Sequence, residues 1–262
     1  MTNLNHLALG NGNTVGVIPY CLGGGIGTLT GLVGFGCDNI LSARIITAEG
    51  KLKVVSADSD PGLFWAIKGA GQFFGVVTEI TLRTYPLSIC GTPEGKHWAA
   101  LFLYPIERAE EVCRTMEPLM VDTQNVAFGN LMLLAPPPLF KPAIAVAPHY
   151  LGDPKQAQAA FENLTNLGPI MFKAETPFFP NISDHLDFAC AKGDFKRFSA
   201  AGLKEFKTEN FMNVVEIWLD LVQKCPDASK TGYFVDWHSP AAKIPIPQHD
   251  SAFSHHDVYL WM

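Results

Sequence analysis

"YCLGGGIGTLTGLVGFGCDN", residues 20 to 39, holds seven glycines and a single charge. A glycine run this near the start of a chain is either a nucleotide loop or a turn packed on itself. A dinucleotide fingerprint needs G-x-G-x-x-G between a strand and a helix. Gly25 and Gly27 are followed by Thr30, and in "GAGQFFG" Gly69 and Gly71 are followed by Phe74, so neither run keeps the spacing. No acid stands at a strand end some 20 residues beyond Gly27, because Glu49 lies in a turn. No G-x-x-x-x-G-K-[ST] occurs either. What glycine still offers is bare backbone: N–H groups free to approach a planar ring or a pyrophosphate, or a chain able to turn tightly. Spacing alone leans toward the self-packed turn and leaves the ligand loop open.

The flanking residues are an αβ block. "LSARIITAEGKLKVVSA" is two β-rich runs joined at Gly50, a hairpin. "DPGLFWAIKGAG" is a short helix with Asp60 as cap, Pro61 at its first position and Gly69 as its stop. Leu63, Phe64 and Ile67 recur at helical spacing, and the segment from Leu63 to Ile67 reads as core. "FGVVTEITLRTYPL" alternates from Val77 and is a strand ended by Pro86.

After residue 88 the texture changes. "HWAALFLYP", "VAFGNLMLL" and "AIAVAPHYL" are strand candidates, and "APPPLFKP" links the last two. "IERAEEVCRTMEPLM", "DPKQAQAAFENLTNLG" and "ENFMNVVEIWLDLVQKCP" are helices, the last with Phe211, Val214, Val215, Trp218 and Val222 on one side. The order implies an antiparallel sheet with helices on one face, an α+β layer. The terminal "HHDVYLWM" reads as an aromatic strand that leaves a sheet edge open.

Composition excludes several classes. Net charge is −6 and the only basic cluster, "KGDFKRF" at 192 to 198, carries an acid and reads as a solvated turn, so a nucleic-acid partner is not expected. Cys21, Cys37, Cys90, Cys113, Cys190 and Cys225 include no C-x-x-C pair, and apolar neighbours make several of them buried thiols. No apolar run reaches ~20 residues and no signal peptide is legible, so neither membrane nor export is expected and the chain as it stands reads as cytoplasmic. His255, His256 and Asp257 are adjacent, and on a strand they would point to opposite faces, so no metal is expected there. There is no G-x-S-x-G elbow to support a hydrolase.

Five elements in fixed order then carry a resemblance: G-G-G-x-G, Asp38-Asn39, the hairpin, D-x-x-x-L-F-W-A-I, and G-x-G-x-x-F-G-V-V-T. Residues 14 to 87 resemble the second half of the PCMH-type FAD-binding domain of the vanillyl-alcohol-oxidase superfamily, in its berberine-bridge-enzyme-like branch. Residues 88 to 262 resemble that family's substrate domain in layout. The resemblance implies two units, a partial FAD-binding domain over 1 to 87 and an antiparallel-sheet substrate domain over 88 to 262, incomplete at its C-terminus. It implies FAD as cofactor. Thr14, Val15, Gly16 and Val17 would line one stretch of it, and Gly23, Gly24, Gly25 and Gly27 would pack on the ring and its ribityl–phosphate chain. Asp38 and Asn39 would anchor the turn that follows, and Gly75, Val76 and Val77 would present backbone.

The activity implied is oxidation of a small hydrophobic, secondary-metabolite-type molecule, with O2 as acceptor. The base stays open among Tyr20, Tyr233, His238, His255 and Tyr259. The family's first flavin subdomain and its covalent histidine have no counterpart in residues 1 to 13, and no cysteine stands just before "VGV". The competing expectation is therefore a truncated, non-catalytic member acting as a binding or partner subunit.

Overall fold

The computed structural model describes residues 6–8, 12, 14–121, 127–184, 187, 192–193, 197–238 and 250–262. A two-residue strand, β1 (His6–Leu7), leads into α1 (Val17–Leu22), the glycine run, and α2 (Thr30–Val33). β2 (Ile40–Ile46) and β3 (Leu52–Ser56) form the hairpin, with Gly50 at φ +71°. α3 (Pro61–Ala70) has the expected ends: the Asp60 carboxylate accepts from Leu63 N–H, and Gly69 leaves helical geometry at φ +113°. β4 (Val76–Leu82) completes an antiparallel sheet of order β3-β2-β4. This strand ends at Leu82, before Pro86. Tyr85–Pro86, β5, turns away to pair with β1.

Packing explains the block. Ile40, Ala43 and Ile45 of β2 and Val55 of β3 bury against Phe64 and Ile67 of α3 and Cys21 and Leu22 of α1. The segment from Leu63 to Ile67 therefore divides. Phe64 and Ile67 are core, whereas Trp65 is 47% exposed on the far side of the helix.

The second sheet is larger. Its strands are β6 (Trp98–Pro105), β7 (Ala127–Leu134), β8 (Ala143–Tyr150), β9 (Met171–Glu175), β10 (Gly202–Leu203), β11 (Tyr233–His238) and β12 (Leu260–Trp261), in the order β10-β12-β11-β7-β8-β6-β9, all antiparallel. Helices α4 (Ala109–Met120), α5 (Pro154–Ala160), α6 (Glu162–Asn166) and α7 (Thr208–Lys224) join one face in a single core. Alternation sets the faces: Phe102, Leu131, Leu133, Ile144, Val146 and Val235 point to the helices. The fold is thus α+β with the helices on one face of the large sheet.

Two details differ from the sequence reading. The helix expected over 153 to 168 is two, broken at Phe161, whose ring stacks on Trp98 at 5.5 Å. The Tyr104 hydroxyl donates to the Leu164 carbonyl (2.6 Å), holding the second piece against the sheet. The terminal strand is not an open edge, because β12 pairs with β10 on one side and β11 on the other.

The other face of the large sheet receives the glycine-run block. Leu29, Leu32 and Val33 around α2 bury against Phe128, Leu151 and Ile182, with Leu7 and Tyr85 beside them. A nonpolar seam thereby presses the loop at 26 to 28 onto the helix-free face of the sheet.

Candidate functional site

That contact leaves a cleft. Ile26, Gly27 and Thr28 form one wall, and side chains of β7, β8 and β11 form the other. Cross-strand register sets the second wall as two rows. His238, Phe128 and His149 lie side by side, and two residues along each strand come Asp236, Asn130 and Ala147. Residues two apart share a face, so a polar group stands in strands that are otherwise apolar.

Each polar member is held. The Asn130 amide donates to Asp236 Oδ1. Burial raises the Asp236 carboxyl to about 6, and the Asn130 hydrogen bond opposes that rise. The Phe128 ring stacks on His149 at 4.8 Å and 8°. His149 Nδ1 faces His97 Nε2 at 3.0 Å, with both histidines buried. The His238 ring lies edge-on to Phe35, 5.9 Å away. A half-buried carboxyl whose value is raised toward neutrality can take a proton from a bound ligand.

The glycine loop closes on itself. Cys37 N–H donates to the Gly24 carbonyl and Gly36 N–H to that of Gly25, both at 2.8 Å. Gly27 N–H donates to Thr30 Oγ1 (2.9 Å). A Cβ on Gly25 would stand 2.9 Å from Gly36 Cα, and one on Gly24 would enter the Phe253 ring. Asp38 accepts from Phe35 N–H (2.9 Å). Asn39 donates to the Val33 and Phe35 carbonyls and accepts from the Tyr85 hydroxyl (2.5 Å). Thr14, Val15, Gly16 and Val17 are exposed at the start of α1. Gly75, at φ +143°, opens β4, where Val76 is 66% exposed and Val77 packs inward.

Residues 250 to 257 cross over this loop. Lys68, buried, pairs with Asp250 at 2.7 Å. Ala252 N–H donates to the Trp65 carbonyl and Phe253 N–H to that of Lys68, both at 3.2 Å. His256 Nε2 lies 2.8 Å from Asp38 Oδ1. His256 and Asp257 form a turn, so strand alternation does not separate these residues. Cys37 joins Asp38 and His256 in a trio whose ligand-type atoms lie within 4.8 Å of one another. Burial and the neighbouring Asp38 push the Cys37 thiol up, which leaves it protonated and a poor metal ligand.

Of the five candidate bases, only His238 lines the cleft. The Tyr20 ring lies against Gly25 and Gly36, and burial drives its hydroxyl upward. Tyr233 and Tyr259 pack at the helix-side core, and His255 sits edge-on to Phe253 and Trp261. Asp236, Asn130 and His149 escaped the sequence reading. The available signal was a polar residue at a period-two position within "FVDWH", "VAFGNLMLL" and "AIAVAPHYL". Cys21, Cys37, Cys90 and Cys113 are buried free thiols and Cys225 is exposed, while Cys190 lies outside the described residues, as do three residues of "KGDFKRF".

The fold defines the class as α+β, with the glycine loop pressed on the helix-free face of an antiparallel sheet. No family model matches the chain. It is 31% identical over 242 residues to the FAD-linked oxidoreductase hasG of Aspergillus fumigatus, a match covering 89% of this chain and 50% of that protein. It is 30% identical over 230 residues to the FAD-linked oxidoreductase azaG of Aspergillus niger, covering 81% and 46%. Among solved structures, BBE-like 1 of Physcomitrella patens superposes with a TM-score of 0.77 at 16% identity, over 98% of this chain and 56% of that one. The 6-hydroxy-D-nicotine oxidase of Arthrobacter nicotinovorans superposes with a TM-score of 0.71 at 22% identity, over 90% and 51%. In sequence the chain is similar to FAD-linked oxidoreductases, and it has the fold of BBE-like and VAO-type flavoproteins. It spans about half the length of the curated relatives it matches.

Proposed function

We propose that this chain supplies part of the cofactor cradle and the substrate-facing wall of an FAD-dependent oxidoreductase. Its substrate is a small hydrophobic molecule of secondary-metabolite type, and O2 is the electron acceptor. Residues 1 to 87 serve the flavin and residues 88 to 262 the substrate. The observation that carries the reading is geometric: Asp236, half-buried and hydrogen-bonded by Asn130, lines the same cleft as Ile26, Gly27 and Thr28 of the glycine loop.

The residues present fit FAD at several points. Thr28 Oγ1 is buried beside the cleft with no hydrogen-bond partner among the described residues, so the loop keeps a polar group to offer a ligand. Gly27 brings bare backbone to the same wall. Thr14, Val15, Gly16, Val17, Gly75, Val76 and Val77 would supply further surface, and Gly23 further backbone. At Gly24 and Gly25 the contact is confined to backbone, because the chain's own atoms fill the side-chain positions. Asp38 and Asn39 hold the loop in shape.

FAD, when bound, supplies the hydride acceptor. The protein's part is the proton and the geometry. Asp236, ionised above about pH 6, takes a proton from the substrate's hydroxyl or amine. Asn130 fixes that carboxylate's orientation. Phe128, Ile26 and Ile182 keep the cleft apolar and dry the reacting group.

The test is the visible spectrum of the purified chain before and after added FAD, followed by gel filtration. A flavin band that stays with the protein supports the reading, and assays on aryl alcohols follow. A colourless protein that cannot be reconstituted overturns it for this chain.

A further inference from the structure

We propose that β9 is a self-pairing edge. Two copies of this chain join antiparallel along it as a two-fold dimer, with Lys173 of each copy facing Glu175 of the other. No residue of the cleft takes part, so the dimer and the flavin reading stand or fall separately.

β9 closes one end of the large sheet, and among the described residues it pairs with β6 alone. All five of its residues are exposed, and with Ile170 before them Met171 and Phe172 form an uncovered apolar run. An exposed apolar edge is a template for a further strand. Hydrogen bonding shows which groups lie open. Phe179 N–H donates to the Gly95 carbonyl (2.9 Å) and His97 N–H to that of Pro177 (3.2 Å). The same register continues with Glu175, Lys173 and Met171 opposite Ala99, Leu101 and Leu103. In an antiparallel pair, alternate residues turn their main-chain groups to the neighbour. Met171, Lys173 and Glu175 therefore bond to β6, and Phe172 and Ala174 present N–H and C=O to the open side. Pro177, which lacks an N–H, stands in the inward row.

Charge picks the register and the partner. Lys173 and Glu175 share a face, 69% and 51% exposed, and pair with each other at 2.9 Å. With the two-fold axis at Ala174, Lys173 falls opposite the partner's Glu175 and Glu175 opposite the partner's Lys173. These are the positions where cross-strand side chains lie closest. The Phe172 ring, already against Phe102 at 4.8 Å, loses further exposed surface opposite the partner's Thr176. An axis at Lys173 or at Glu175 would set like charges face to face, and one at Phe172 would leave Lys173 opposite Met171. The strand is self-complementary in one register, which favours a second copy over an unrelated chain.

Sedimentation equilibrium of the whole chain tests this. The wild type should dimerise at about 10–100 μM. Lys173→Glu should weaken the dimer by roughly tenfold or more, because like charges then meet at both pairs, and Glu175→Lys should do the same. An equimolar mixture of the two variants should associate like the wild type, since each strand then carries the charges the other needs. The double variant should also dimerise like the wild type. Both side chains are exposed, so folding is not at stake. A wild-type chain that stays monomeric over that range overturns the proposal. So does a dimer that either single variant leaves unchanged, or a mixture or double variant that associates no better than the single variants.

Discussion

The Phe253 ring fills the space beside Gly24 that a side chain there would need. Gly24 sits at φ +110°, a conformation that L side chains rarely adopt. From the other side, a Cβ on Gly69 would stand 2.6 Å from Phe253 N. Two glycines some 45 residues apart in sequence thus form one notch for a residue near the C-terminus. Gly24→Ala should cost roughly 2–4 kcal/mol, from backbone strain and the clash together. In the double variant with Phe253→Ala the clash term disappears, so the two losses should sum to more than the measured one. Urea midpoints of the four proteins decide this, and strict additivity would show that Phe253 does not occupy the notch.

His256 and Asp38 make a pH-dependent tie. The hydrogen bond to Asp38 raises the imidazole above its ordinary value, against partial desolvation. A raised folded value means the stabilisation is complete below about 6.5 and is lost as pH climbs through the folded value. His256→Gln should therefore lose more stability at pH 6 than at pH 9. Denaturation midpoints at the two pH values measure it, and an equal deficit at both would remove the ion-pair account.

Asp236 trades stability for chemistry. Its carboxyl moves from an ordinary 3.8 to about 6, so the folded state holds the proton more tightly than the unfolded chain. Stability accordingly falls as pH rises from about 4 to about 6, by about 3 kcal/mol for two pH units. Asp236→Asn should regain up to that amount at pH 8, seen as a raised Tm. If Asp236 is the base, the same variant should lower turnover by roughly 10²–10⁴-fold. The wild-type rate should rise with pH through about 6. A variant that turns over normally would remove Asp236 from the chemistry whatever its stability.

Asn39 is a hub for the loop. Its amide makes hydrogen bonds to Val33, Phe35 and Tyr85, and its side chain is buried. Asn39→Ala leaves two carbonyls and a hydroxyl without those partners and should cost roughly 2–4 kcal/mol. Hydrogen exchange should locate the loss at residues 33 to 39. A loss spread evenly over the large sheet would contradict the hub.

The local code of the first block was legible because it is carried by short-range chemistry. Asp60 caps, Pro61 starts, Gly69 stops and Gly50 turns, each through its own backbone preference. The order of glycine run, Asp38-Asn39, hairpin and helix likewise pointed to the family without any contact map. The apolar runs "HWAALFLYP", "VAFGNLMLL" and "AIAVAPHYL" were also legible as the strands β6, β7 and β8. β10 and β11 were not read as strands, and a two-residue strand such as β10 has no periodicity to read. The terminal strand was read but left unpaired, and β12 gains its place only from partners 57 and 25 residues back, Leu203 opposite Leu260 and Asp236 opposite Trp261.

The site was decided in three dimensions. Asn130, His149 and Asp236 stand on three strands, and only the register of β11 on β7 and β7 on β8 makes them neighbours. The nonpolar seam around Leu29, Leu32 and Phe128 then sets the glycine loop opposite them. Side-chain identity states what a residue can do. Burial and cross-strand pairing set whether Asp236 titrates near 6 or like any surface acid, because desolvation is a property of the packed surroundings and not of the residue.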